Sequence, residues 1–189
     1  MKKESIITLP DQTLRHKSSK VNFVTPETKK LVDDMISVVL DWEDSRPHEL
    51  SAALAAVQVN RPEKVIIIRD EFENKEIRDF TALIDPKITK FEGDIVTDYE
   101  GCLSVPGVYG LVPRHDKVRV QAIDINGNEV RFKADGFLAR IIQHEVDHTN
   151  GIVFIDHIRD VKDAFFKLDE KGDLQPLAYD KVKDSNILW

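Results

Sequence analysis

Two histidines four residues apart stand in the run Gln143-His144-Glu145-Val146-Asp147-His148. On a helix that spacing puts both imidazoles on one face, ~6 Å apart along the axis. Two such rings can hold one metal ion. Glu145, next to His144, flanks the same ion and can serve as base to a bound water. The bland alternative is a set of ordinary helical residues, so this run by itself points to metal and water and no further.

A third ligand is needed. The extended pattern HExxHxxGxxH requires histidine at position 154, where Phe154 stands, and Gly151 then reads as a helix stop. A glutamate about twenty residues on is another solution; Glu170 is near that spacing but sits beside Lys171-Gly172 in a polar, turn-like segment. His157 is a further option, although a histidine in that setting is more often at the surface. Cys102 is the better candidate. It is the single cysteine, within Glu100-Gly101-Cys102-Leu103-Ser104, and Gly101 lets the backbone approach a ligand closely. Its plain alternative is a buried small hydrophobe. A thiolate plus two imidazoles leaves the fourth position open, as a hydrolytic metal requires. Glu100 and Arg114 can pair behind this loop, or stand as two solvated charges.

The elements that position these residues follow from periodicity. Asp135 can cap a helix in which Leu138, Ile141, Ile142, Glu145 and His148 recur at three- and four-residue steps, with Asn150-Gly151 as its stop. Thr25-Pro26-Glu27 starts an earlier helix, whose Leu31, Met35, Val38, Val39 and Trp42 share one face; Ser45-Arg46-Pro47 ends it. Between the helices the chain is strand-like. Lys64–Arg69 is one run, and Phe80–Ile84 is a second, stopped by Asp85-Pro86. Lys117–Ile125 and Glu129–Ala134 flank Asn126-Gly127-Asn128 as a hairpin. The order predicts an α+β fold: a single domain with mostly antiparallel sheets packed around a central metal-binding helix, plus an N-terminal helix.

The 189 residues are read as one domain spanning 1–189, with about 170–189 a polar, loosely held C-terminal tail. A net charge of −7 argues against general nucleic-acid binding. One cysteine excludes an internal disulfide. The N-terminal MKKESIITLPDQ has no apolar stretch behind its lysines, and the longest strongly apolar run, Val65–Ile68, is too short for a bilayer. A cytoplasmic, membrane-free protein is expected.

At these residues the sequence resembles the peptide deformylases. That family carries three motifs in order, GxGLAAxQ, EGCLS and QHExDH. The second is complete here from Glu100 to Ser104, and the third from Gln143 to His148. The first is partial, Ser51-Ala52-Ala53-Leu54-Ala55-Ala56-Val57-Gln58. Leu9-Pro10-Asp11 with Leu14-Arg15, Ala82-Leu83-Ile84-Asp85-Pro86, Val112-Pro113-Arg114 and Ala139-Arg140 are similar to it as well, so the likeness runs over roughly residues 5 to 160.

The resemblance implies that Cys102, His144 and His148 hold one divalent metal, Fe²⁺ in the cell, with Zn²⁺, Ni²⁺ or Co²⁺ as replacements. It implies Glu145 as the base that takes a proton from water and passes it to the leaving amine. The Gln58 side chain and the Leu103 backbone N–H would stabilise the oxyanion at the formyl carbon. The substrate would be the N-formylmethionyl end of nascent polypeptides, met at the ribosome exit by a monomer, with formate released. The first-motif segment with Ala53 would line the substrate channel; Gly101 and Tyr109 are further candidates to line it, Tyr109 standing equally well as plain packing. The chemistry is coherent: an amide is a poor electrophile, so metal activation and donors aimed at the developing charge both help.

The departures lie in the first motif, where Ser51 and Ala53 replace glycines and Val57 replaces proline. A positive φ at Ala53 would be strained; with a negative φ the added methyl narrows the cleft instead. Two other readings stand beside the deformylase: a zincin-like peptidase or other amidase using the same helix, and a non-catalytic deformylase-like peptide-binding protein.

Overall fold

A computed structural model describes residues 1–46, 49–169, 171–185 and 187–188. Helix α1 spans Pro26–Asp44 and begins on a reciprocal cap: the Thr25 hydroxyl accepts from the Thr28 N–H, while Thr28 Oγ accepts from the Thr25 N–H. Ser45 closes it; Pro47 lies outside the described residues. Strands β1 (Ala53–Ala55), β2 (Val65–Arg69), β3 (Phe80–Gly101), β4 (Tyr109–Ile123) and β5 (Glu129–Asp135) precede helix α2, Gly136–His148. After it come the short helix α3 (Phe154–His157), β6 (Phe165–Leu168), β7 (Leu174–Pro176) and the short helix α4, Tyr179–Asp184.

The strands form one antiparallel sheet in the order β1-β2-β3-β4-β6-β7, with β5 also on β4. β2 is buried on both faces, and its alternation sorts two cores. Val65 and Ile67 face Leu31, Met35, Val38 and Val39 of α1; Ile66 and Ile68 face Ala139, Ile142 and Val146 of α2. A third core gathers Leu14, Val112, Phe154, Ile155 and Phe165. The expected α+β architecture, antiparallel strands around a buried helix, is the one observed.

Three local expectations need correction. The strand beginning at Phe80 does not stop at Asp85-Pro86. Asp85 takes a left-handed φ of 51° in a bulge where the register shifts between Ile84 and Lys87. Its carboxylate there accepts from the N–H groups of Val21 and Asn22, at 2.9 and 2.8 Å. A bulge accommodates proline without losing a ladder bond, so the strand continues. Asp135 stands before α2 but makes no side-chain cap, because it is still paired with Lys117 as the last residue of β5. Among the described residues after Asp169, where the sequence predicts a loosely held tail, β7 pairs with β6 and Val182 of α4 is 1% exposed against the third core.

Candidate metal centre and cleft

α2 is buried almost all round over its second half, which carries His144, Glu145 and His148 inside the molecule. β3 ends at Gly101 and delivers Cys102 to the same point. The Cys102 sulfur and one nitrogen of each histidine lie within 4.8 Å of one another. Cys102 Sγ is 3.3 Å from His148 Nε2, and the two Nε2 atoms are 3.2 Å apart. Tetrahedral binding at ordinary metal–nitrogen and metal–sulfur lengths separates such donors by about 3.3–3.6 Å. The donors thus already stand at the spacing one ion requires, and a thiolate with two imidazoles suits zinc or iron.

The surroundings fix the ligands. Glu100, buried, accepts from His144 Nδ1 at 2.9 Å, which leaves the lone pair of Nε2 aimed at the cluster. Arg114 donates to both Glu100 oxygens, at 2.9 and 3.1 Å, and Arg140 adds a bond of 2.8 Å. The pair Glu100–Arg114 is therefore formed, and it is buried. Burial acts to raise the Glu100 pKa, but hydrogen bonds from His144 and Arg114 outweigh it and hold the carboxyl well below the usual range. Burial likewise opposes charge on His144, yet Cys102 and Glu100 hold its pKa well above that of free histidine. Burial and the neighbouring His144 push His148 well below it. Two rings this close cannot both be cationic, whereas a shared metal accepts a lone pair from each.

Glu145 is buried beside this cluster, and burial pushes its carboxyl up to about 7. Its Oε2 has no hydrogen-bond partner among the described residues. Gln58 sits in a tight turn over Ala56–Val59; its Oε1 accepts from the Ala55 N–H at 2.8 Å. That leaves Nε2 pointing at Ser104 Oγ, 3.1 Å, and Cys102 Sγ, 3.5 Å. Gln58 is 2% exposed, so its orientation is set by the protein.

A cleft of about 430 Å³ opens on these groups. Gln58, Cys102, Leu103, His144 and Glu145 line its inner end, and Ser51, Ala52 and Ala53 form one wall. Gly101 and Tyr109 also line it, as registered partners across β3 and β4. A Cβ on Gly101 would fall 2.6 Å from the Tyr109 ring, so glycine is what lets that ring lie there. Ala53 lies in the short strand β1, and the left-handed non-glycine residues among those described are Asn22, Asn60 and Asp85. Ala53 therefore carries no such strain, and it lines the cleft while packing against the core.

The structure brings Ala53, Gln58, Gly101, Cys102, Leu103, Tyr109, His144, Glu145 and His148 to one cleft and its metal cluster. His157 is elsewhere: its Nε2 is 2.7 Å from Asp147 Oδ2, and Asp147 also takes a bond from Arg114. Glu170 lies outside the described residues. Sequence reasoning missed Phe137, Ile141, Trp42 and Arg46 as cleft groups. Phe137 and Ile141 precede His144 by seven and three residues, a helical-face signal that was available. For Trp42 and Arg46 no local signal exists; they reach the cleft only through the way α1 packs.

The polypeptide deformylase family model matches residues 3–164. A peptide deformylase of Chromohalobacter salexigens is 38% identical over 162 residues, covering 86% of this chain and 89% of the relative. Among solved structures, a Synechococcus elongatus peptide deformylase in complex with actinonin is 36% identical, with TM-score 0.71, covering 80% of this chain and 76% of that one. A class I type b peptide deformylase of Acinetobacter baumannii with Met-Ala-Ser bound is 29% identical, with TM-score 0.72, over 81% of this chain and 96% of that one.

Proposed function

The chain belongs to the polypeptide deformylase family and is a hydrolase that removes the N-formyl group from formylmethionine at the start of new polypeptides, and on that premise we propose what each residue of its cleft does. The observation that carries the assignment is the convergence of Cys102, His144 and His148 at one point, with buried Glu145 and Gln58 beside it.

Cys102, His144 and His148 would hold one divalent ion, which when bound lowers the pKa of water and polarises a carbonyl oxygen. Membership of the family points to Fe²⁺ in the cell, with Zn²⁺, Ni²⁺ or Co²⁺ as replacements, and a thiolate with two imidazoles can bind any of them. Glu145 takes a proton from the attacking water and returns it to the leaving nitrogen. The Gln58 amide and the Leu103 backbone N–H donate to the formyl oxygen as it gains negative charge. β1 is the edge strand of the sheet, so Ala53 offers backbone groups to an extended peptide, while Gly101 and Tyr109 form the facing side. The protein works as one catalytic domain over residues 1–189, a monomer in the cytoplasm that meets nascent chains at the ribosome exit. No helix among the described residues is long and apolar enough to cross a membrane.

The test is formate release from formyl-Met-Ala-Ser, with anaerobic Fe²⁺ and with Ni²⁺. Wild type releases formate; Glu145→Ala binds the metal but loses about 10²–10⁴ in kcat. A wild-type protein with metal demonstrably bound and no release under either ion would overturn the assignment.

A further inference from the structure

We infer that the buried ion pair Glu43–Arg69 is the positioning device of the peptide-binding wall, fixing the Ser51 backbone so that β1 presents its edge in one register. The inference rests on the function proposed above and concerns two residues that lie outside all three motifs.

Glu43 is in the last turn of α1, and Arg69 ends β2; both side chains are 0% exposed. Arg69 Nη2 reaches both Glu43 oxygens. The pair then turns outward to the backbone of the wall. Glu43 Oε1 accepts from the Ser51 N–H at 2.8 Å, and Arg69 Nε donates to the Ser51 carbonyl at 3.4 Å. The Arg69 N–H donates to the Ala52 carbonyl at 2.9 Å. Arg69 Nη1 ties in Ile77 O, and the guanidinium lies 5.0 Å from the Phe80 ring centroid.

Stability does not explain such a pair. Desolvating two charges offsets most of their attraction, and well-packed apolar side chains do as well or better. What apolar side chains cannot do is hold a backbone N–H and a carbonyl. Ser51 needs that hold, because the registered pairs with β2 begin at Ala53 and the backbone bond from β2 reaches back only to the Ala52 carbonyl. β1 is three residues long, too short to fix its own approach. The wall on which an extended peptide would pair is thus set by α1 and β2 through this ion pair. Positioning before binding spares the ordering cost at the moment of binding.

The test compares the metal-loaded wild type with the double variant Glu43→Leu/Arg69→Leu, which leaves no unpaired buried charge. Two quantities are read: the ratio of kcat/KM for formyl-Met-Ala-Ser to that for formylmethionine, and the dissociation constant of Met-Ala-Ser. The ratio cancels any difference in active fraction. It should fall about tenfold or more, carried by KM, with Met-Ala-Ser binding weakened by a similar factor. A folded double variant with the wild-type ratio and wild-type binding overturns the inference. If the double variant does not fold, amide exchange on wild type decides. Ser51 N–H protected before Met-Ala-Ser is added supports a preset wall; fast exchange that slows only with the peptide overturns it. Failure of the wild type to release formate would remove the proposed function, while Met-Ala-Ser binding and Ser51 exchange would still decide the positioning role.

Discussion

Glu100 accepts a hydrogen bond from His144 at 2.9 Å, and this contact decides which ring nitrogen faces the cluster. Glu100 sits in turn under Arg114 and Arg140, so the ligand's orientation is anchored to β4 and to the helix that carries it. Glu100→Gln keeps an acceptor but removes the charge that balances two buried guanidinium groups. Metal affinity should fall about 10–100-fold, read by competition with a chelator. An unchanged affinity would mean that Glu100 serves the fold alone.

Gly101→Ala should act through Tyr109. The new Cβ would stand 2.6 Å from that ring, so the ring must leave its place on the cleft. KM for formyl-Met-Ala-Ser should rise several-fold, about 1 kcal/mol in kcat/KM. Tyr109→Ala should have its own effect, but Gly101→Ala should add little once the ring is gone. A double-mutant cycle measures that coupling, and strict additivity would contradict the contact.

Ala53→Gly restores the glycine of the family motif and should not stabilise the protein. Ala53 is in a strand with no left-handed φ, so glycine relieves nothing and loses more conformational entropy on folding. The expected cost is about 0.5–1 kcal/mol, seen as a lower urea midpoint at unchanged slope. A gain in stability would show that the alanine is strained after all.

Gly151→Ala tests the stop of the metal helix. Gly151 has φ +77°, and a Cβ there would lie 2.3 Å from the Arg15 carbonyl oxygen, a backbone atom that cannot rotate away. A loss of about 1–3 kcal/mol is expected, with a matching fall in Tm. A variant as stable as wild type would mean that the Arg15 segment shifts freely.

Much of this protein was legible in one dimension, because the signals were local. His144 and His148 are four apart, and helical geometry alone puts them on one face. The β-branched apolar run Val65–Ile68, the Thr25 cap and the Asn126–Asn128 turn are likewise decided by neighbours in the chain. The likeness of Glu100–Ser104 to a known motif supplied Cys102. Tertiary structure decided the rest. Only the fold could bring Cys102 to within 3.3 Å of His148 from 46 residues away, and seat Gln58 against both Cys102 and Ser104. Only the fold could show that Ala53 is unstrained, since φ is set by pairing with Ile68 and not by residue type. The continuation of β3 through Asp85-Pro86 depended on Val21 and Asn22 supplying donors from elsewhere. The Glu43–Arg69 pair left no trace in the sequence: two charges 26 residues apart become partners only once helix and sheet have buried both. Short-range periodicity records which face of an element is buried; it does not record which side chains meet across that buried face.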